Sequence, residues 1–291
     1  MVERNKTFQI MANAVMIILV VFCMLPLLLL FSSSLNEEHA LIVNGYSFLP
    51  SKLDFSAYKY ILVDSTQLLR GYGISALVTL VGTTVNLVFT TLFAYPLSRK
   101  DLPGKNMIAF FLFFTMLFNG GMVTFYMVVK GIGLYNTRWA VILPACVSAF
   151  NLILVRTTMT SIPKSLEESA MLDGAGPVRI LFQIYLPLMK ATLATVTLYY
   201  AIFHWNSWFN ASLFLQDREK FPLQLVLQEI LVINDNVKTV TSAGDLAGNT
   251  DLYKQLIKYC TIMVATVPVL CFYPFIMKYF KTGVMIGSIK G

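Results

Sequence analysis

Residues Ser165 to Lys190 read SLEESAMLDGAGPVRILFQIYLPLMK, with apolar runs on either side. This stretch decides the fold because it is a polar interruption in a chain that is otherwise mostly hydrocarbon. Of the 291 residues, 57% are hydrophobic and only 13% charged, and the mean hydropathy is +0.69. A water-soluble domain of this length cannot bury so large an apolar share, so the chain reads as an all-α integral membrane protein.

Outward from that insert, windows of about 20 residues, the apolar length that crosses a bilayer as a helix, pick out charge-free runs. These are residues 11–31, 72–95, 107–129, 139–155, 191–214 and 259–277, none holding Asp, Glu, Lys or Arg. They predict a single domain over 1–291 with six transmembrane helices, a loop over 160–190 and opposed loops over 32–71 and 215–258. The run Met11 to Phe31 exceeds the roughly 7–15 residues of a secretory h-region, so it reads as an uncleaved span. An even number of spans puts both termini on one side. Segments on the side of the termini hold 12 Lys/Arg against 5 Asp/Glu, whereas the opposite side carries 10 of each sign. The net charge of +7 therefore sits on one face, and the positive-inside rule makes that face cytoplasmic. Both termini are therefore expected on the cytoplasmic side of a cell membrane.

What the spans lack narrows the function. Ion-coupled carriers place ionisable side chains within the bilayer, where their cost is accepted only for a purpose. Here the single ionisable side chain of that kind is His204, beside the polar WNSW, and it reads as a neutral hydrogen-bonded histidine. No G-x-x-x-x-G-K-[ST] loop, metal-spaced cluster or nucleophile elbow is present. The chain is thus expected to carry no catalysis and no cofactor, with its energy supplied by another subunit. Cys23, Cys146, Cys260 and Cys271 all fall in predicted spans without close pairs, and read as small buried apolar residues.

Within the insert, Ser165-x-x-Glu168 has capping-box spacing, Gly174 suits a left-handed stop, and Pro177 suits the first turn of a second helix. Val178, Leu181, Phe182 and Tyr185 recur at helical spacing before Pro187 interrupts the turn. Two short helices joined by a glycine elbow make a knob, although a loop packed beneath its own spans would have the same composition. Glu168-Ser169-Ala170-x-x-x-Gly174-Ala175, followed by Ile184-x-Leu186-Pro187, resembles the EAA motif of the permease subunits of ABC importers. Ser169 stands where the motif has its middle alanine. The resemblance implies that the loop is a coupling helix docking on a cytoplasmic ATPase, with Glu167, Glu168, Ala170, Asp173, Gly174 and Ala175 as its coupling residues. Small residues would allow close approach there, and the three carboxylates would meet basic groups on the partner.

The likeness extends along most of the chain. FNGGMVTFYMVVKGIGLYNTRWAVILP (Phe118 to Pro144), FHWNSWFNASLFLQD (Phe203 to Asp217) and FPLQLVL (Phe221 to Leu227) are similar to carbohydrate importers of the maltose-permease type, in the branch for oligosaccharides and complex-polysaccharide fragments. The ending GVMIGSIKG resembles the tail of the smaller permease of the maltose pair. That likeness would bring Gly287, Ser288, Lys290 and Gly291 to the ATPases, while a frayed terminus reads equally well.

Gly120 and Gly121 suit a bend or a close helix contact, and in this family they would lie near the translocation path. Trp205, Asn206, Trp208 and Asn210 combine aromatic faces with amides, as a sugar contact requires, and they also suit an interfacial aromatic belt. Leu223, Val226, Leu227, Ile230 and Leu231 follow a helical stripe after Pro222, predicting an amphipathic helix on the membrane face. The polar segment Asn234 to Thr250 reads as a loop. The partners implied are a second homologous permease, two copies of an ATPase carrying ATP and magnesium, and an extracytoplasmic sugar-binding protein. A stand-alone secondary carrier or channel is the alternative, and a membrane-anchored assembly protein a third.

Overall fold

The computed structural model describes residues 6–99, 101–230 and 256–271. Its regular elements are helices, apart from one isolated antiparallel bridge between Asn36 and Leu53. In chain order the main helices are α1 (Lys6–Ser34), α2 (Thr66–Ser98), α3 (Lys105–Leu117), α4 (Gly121–Gly131), α5 (Trp139–Ala145), α6 (Ala149–Ser161), α7 (Lys164–Leu172), α8 (Pro177–Leu188), α9 (Lys190–Trp205), α10 (Trp208–Phe214), α11 (residues 223–230) and α12 (Leu256–Cys271).

Helices α1 and α2 are each long and apolar enough to cross a membrane unbroken. Three further pairs pass the same test only together: α3 with α4, α5 with α6, and α8 with α9, bent at their joints by 119°, 46° and 86°. The run 107–129, expected as one helix, is therefore two. Asn119 Oδ1 accepts the Gly121 N–H at 2.9 Å, and Gly121 has φ +81, a region closed to most side chains, so the chain turns where a helix would have needed to continue. The run 191–214 is likewise interrupted. The Asn206 amide turns back to the Ile202 carbonyl at 3.0 Å and the Ser207 hydroxyl to that of His204 at 2.8 Å, ending α9 before α10 begins. Side chains that bond their own backbone in this way compete with the helical ladder.

The described residues fall into two compact units, one of 6–69 with 227–230 and 256–267, the other of 70–99 with 101–226 and 268–271. In the first, α1 is apolar and exposed along most of its length, and only Ser32, Ser33 and Ser34 at its end are buried. That end is tied down by Ser34, whose hydroxyl lies 2.7 Å from the Tyr58 hydroxyl and whose carbonyl accepts the Cys260 thiol at 3.2 Å. Cys260 is buried and Cys146 partly so, but Cys23 and Cys271 stand on exposed helix faces. The reading of all four as buried fillers thus fails for two, because a helix that is apolar all round has no preferred inner face within a single chain.

The second unit is built on the contact of α2 with α9. The two approach closely at Gly82, where a Cβ would lie 2.6 Å from the His204 ring. His204 is fully buried and its Nε2 lies 3.0 Å from Asn86 Nδ2. One turn along, the Thr90 and Tyr200 hydroxyls lie 2.7 Å apart, and Tyr200 also accepts the Ser148 N–H at 3.1 Å. Small residues and interhelical polar contacts of this kind hold helices together where lipid removes the hydrophobic drive, each worth on the order of 0.6–2 kcal/mol. Toward the other end of α2, the core gathers Ala94, Tyr95, Leu97, Leu152, Val155, Ile180, Leu181, Tyr185 and Val196. The insert over 160–190 is thereby packed into the same core as α2, α6 and α9.

Residues 223–230 are helical, but Leu223, Leu225 and Val226 are buried, so α11 is packed rather than laid on a surface. The Ser75 hydroxyl accepts the Leu223 N–H at 2.8 Å, and Gly71 lets the helix start this close to α2. A stripe of apolar residues shows which face seeks cover, not whether lipid or protein supplies it. Leu231, the segment Asn234 to Thr250, the end of the 259–277 run and the tail residues Gly287, Ser288, Lys290 and Gly291 lie outside the described residues.

Candidate functional site

The insert forms an elbow of two short helices, and its first helix starts earlier than the sequence implied. Helix α7 begins at Lys164 with Pro163 at the N-cap and no side-chain capping bond, so Ser165 already lies inside the first turn. The capping box is not formed. Pro163 cannot continue a helix backwards, and it fixes the entry instead.

The exit of α7 is a complete Schellman closure. Ala175 N–H donates to the Ala170 carbonyl at 2.9 Å and Gly174 N–H to that of Met171 at 3.0 Å, with Gly174 at φ +75. Ala170 and Ala175 meet across this turn and pack inward against the core. Within the chain they help seat the elbow on its own core. Ser169, Gly174 and Gly176 remain exposed.

The carboxylates also divide. Glu167 turns inward, with Oε1 2.8 Å from Arg99 Nη1 and Oε2 accepting the Tyr185 hydroxyl at 2.8 Å. Arg99 also donates to the Tyr95 hydroxyl at 3.1 Å, and the Tyr95 and Tyr185 rings meet edge to face at 5.4 Å between centroids. Burial, then the hydrogen bond to the Glu167 carboxylate, raise the Tyr185 phenol above its ordinary range. The Glu167 charge is thus taken up within the chain, while Glu168 and Asp173 stay exposed. Arg156 extends the network by donating to the Leu97 carbonyl at 3.0 Å. Arg99, Tyr95 and Tyr185 are residues that sequence reasoning missed, since Arg99 counted there only as one positive charge beside a span.

Helix α8 opens at Pro177, and it sorts the stripe of its sequence into two faces. Leu181 and Tyr185 are buried, whereas Val178 and Phe182 are exposed. The turn Leu181–Tyr185 widens to a π-helix just ahead of Pro187, whose missing N–H and bulky ring disrupt the regular ladder. What the elbow offers outward is an apolar tip with acids beside it. Leu172 is 90% exposed, and Leu166, Met171, Val178 and Phe182 are exposed too. Such a patch on a charged rim is the chemistry of a protein contact.

The residues expected near a sugar path stand in different surroundings. Trp205 is buried with its ring edge toward Tyr72 at 6.3 Å, Asn206 bonds its own helix, and Trp208 is exposed beside Phe209. Asn210 is half-buried, and Gly120 and Gly121 lie exposed at the α3–α4 turn.

Residues 83–230, which include the elbow and the α2–α9 contact, match the model of the "Binding-protein-dependent transport system inner membrane component". The chain belongs to that family. It is 37% identical over 289 residues to the polygalacturonan/rhamnogalacturonan transport system permease protein YtcP of Bacillus subtilis (strain 168), covering 99% of this chain and 100% of that one. It is 40% identical over 267 residues to protein LplC of the same organism, covering 92% and 89%. The fold matches a solved bacterial ABC transporter involved in the import of the acidic polysaccharide alginate, with a TM-score of 0.84, 31% identity and coverage of 96% and 99%. The chain is therefore an ABC-importer permease of the membrane, as the EAA-like residues implied, and the stand-alone carrier is set aside.

Proposed function

We propose that the chain is one half of the membrane path of an ATP-driven importer for an oligosaccharide or polysaccharide fragment. The observation that carries this is the elbow: an exposed apolar tip whose base is locked to α2 through Glu167, Arg99 and Tyr185. The printed substrates of YtcP and of the alginate importer support a saccharide cargo. In this reading the chain has six spans and cytoplasmic termini, pairs with a second homologous permease, and meets two ATPase subunits and an extracytoplasmic binding protein. ATP and magnesium sit on the ATPases, which hydrolyse the ATP, and the chain itself performs no chemistry.

The mechanism follows from rigidity. When ATP closes the ATPase dimer, a displacement of the elbow passes through the Glu167–Arg99 contact into α2 and through the shared apolar core into α6 and α9. The spans then exchange between inward-open and outward-open arrangements. On the opposite side Asn136, at φ 56, accepts the Gln216 N–H at 3.1 Å and donates to Asp217 at 3.0 Å. This knot steadies the polar turn that would receive the binding protein.

A pull-down in detergent with tagged wild type, Leu172→Glu and Gly174→Glu tests the proposal. Wild type should recover a second permease and an ATPase, and both variants should lose the ATPase while keeping the permease. Recovery of the chain alone, unaltered by either substitution, would refute it.

A further inference from the structure

A pocket of about 510 Å³ lies between the start of α6 and the C-terminal half of α9, away from the elbow. That volume lies within the range of small-molecule sites. Its walls include Ser148, Phe150 and Asn151 from one element and Tyr199, Tyr200 and Phe203 from the other. Phe150 and Tyr199 are neighbours across it, ring centroids 6.3 Å apart and tilted by 47°, and both rings are exposed on their free faces. Tyr200 is the structural member, since its hydroxyl already serves Thr90 and the Ser148 N–H.

Asn151 is the informative residue. It is 5% exposed, it lines the pocket, and no hydrogen bond of its carboxamide exists among the described residues. Its carboxamide atoms are not among the buried side-chain atoms left without a partner, so they open onto the pocket, where a polar ligand would meet them and a lipid chain would not. The amide sits in the first turn of α6, whose ladder begins only with Leu152 N–H to the Ser148 carbonyl at 2.9 Å. The N–H groups of Ala149, Phe150 and Asn151 thus point toward the bend over residues 145–148, three of whose members line the same pocket. A helix start concentrates partial positive charge, and no carboxylate lines the pocket to oppose an anion.

Aromatic faces for the C–H side of a sugar ring, donors for its oxygens and a helix start for a carboxylate together describe one ligand. We infer that the Phe150–Asn151–Tyr199 pocket is a subsite for a hexuronate unit of the passing saccharide. The inference rests on the importer reading above, and the acidic polysaccharides named for the alginate importer and for YtcP are consistent with it. The unit would lay its ring on Phe150 and Tyr199 and turn its carboxylate to Asn151 and the start of α6.

The test uses the importer complex purified through a tag on this chain, reconstituted in proteoliposomes with its binding protein, and offered trigalacturonate or neutral galactotriose. Wild type is compared with Asn151→Asp, which keeps the shape but repels a carboxylate and is tolerated at a helix start, and with Tyr199→Leu at an exposed position. The expected result is trigalacturonate uptake lowered at least tenfold in each variant, with assembly intact and ATP hydrolysis within twofold of wild type. Undiminished uptake in the variants, or loss only where assembly is lost as well, would overturn the subsite. Uptake of galactotriose alone by wild type would overturn the hexuronate assignment and leave the importer standing. A complex that takes up neither sugar would count against the importer reading itself.

Discussion

Arg99 Nη1 lies 2.8 Å from Glu167 Oε1, joining the residue just beyond α2 to the middle of the elbow's first helix. Both side chains are mostly covered, at 22% and 13% exposure, so the pair is screened less by solvent than a surface pair would be. Glu167→Gln keeps the shape and an acceptor for Tyr185 and removes the charge. Glu167→Leu leaves the guanidinium and the phenol without that acceptor. The expected loss of stability is about 1 kcal/mol for the first and about 2–3 kcal/mol for the second, read as the midpoint of thermal unfolding in detergent. Uptake per ATP should fall in the same order, and equal behaviour of both variants and wild type would show the contact to be idle.

Tyr185 gives the elbow an alkaline limit. Its phenol is raised above the ordinary value of 10.0, first by burial and then by its bond to Glu167. Above about pH 10 the unfolded chain releases this proton while the folded chain retains it, so the folded state binds more protons and stability falls as pH rises. Below that range the contribution is fully present. Tyr185→Phe should flatten this part of the stability profile, measured by thermal unfolding between neutral pH and pH 11. An unchanged alkaline slope would dismiss the account.

Gly82 faces the buried His204 ring so closely that a methyl group would stand 2.6 Å from Nε2. Gly82→Ala must move that ring off Asn86 or part α2 from α9, costing about 1–3 kcal/mol. Gly82→Ala with His204→Ala should recover part of the loss, because the obstruction is removed with the ring. Lower stability of the double variant than of either single one would contradict the packing described.

Gly174 is a backbone requirement rather than a spatial one, since a Cβ there would meet no atom within 4 Å. A left-handed conformation costs most residues about 1–2 kcal/mol, with Asn among the best tolerated. ATPase recovery in a pull-down should therefore rank Gly174 with Gly174→Asn above Gly174→Ala, and Gly174→Val last. Normal recovery with valine would place the elbow's shape outside the coupling function.

Much of the elbow was legible beforehand because its signals are local. Gly174 at a left-handed stop and Pro177 at a helix start follow from the conformations those residues favour, and no distant neighbour is needed to read them. The capping box failed for a reason equally local but competing: Pro163, two residues earlier, had already fixed where α7 begins. The breaks at Asn119 and Asn206 were hidden within apolar runs, because hydropathy averages over a window and one amide that bonds its own backbone hardly changes the average.

Composition and charge-free runs by themselves determined a helical membrane protein, and Glu168, Gly174 and Pro187 carried the resemblance to the family to which the chain belongs. Which of two adjacent glutamates turns inward, which alanines seat the elbow, and that Asn151 is buried while Asn206 stands exposed were decided only in three dimensions. Neighbouring residues on a helix point about 100° apart, so Glu167 and Glu168 are alike in sequence and opposite in environment. The choice between them belongs to Arg99 and Tyr185, brought there from other helices by a shared apolar core. Only the folded chain sets that proximity.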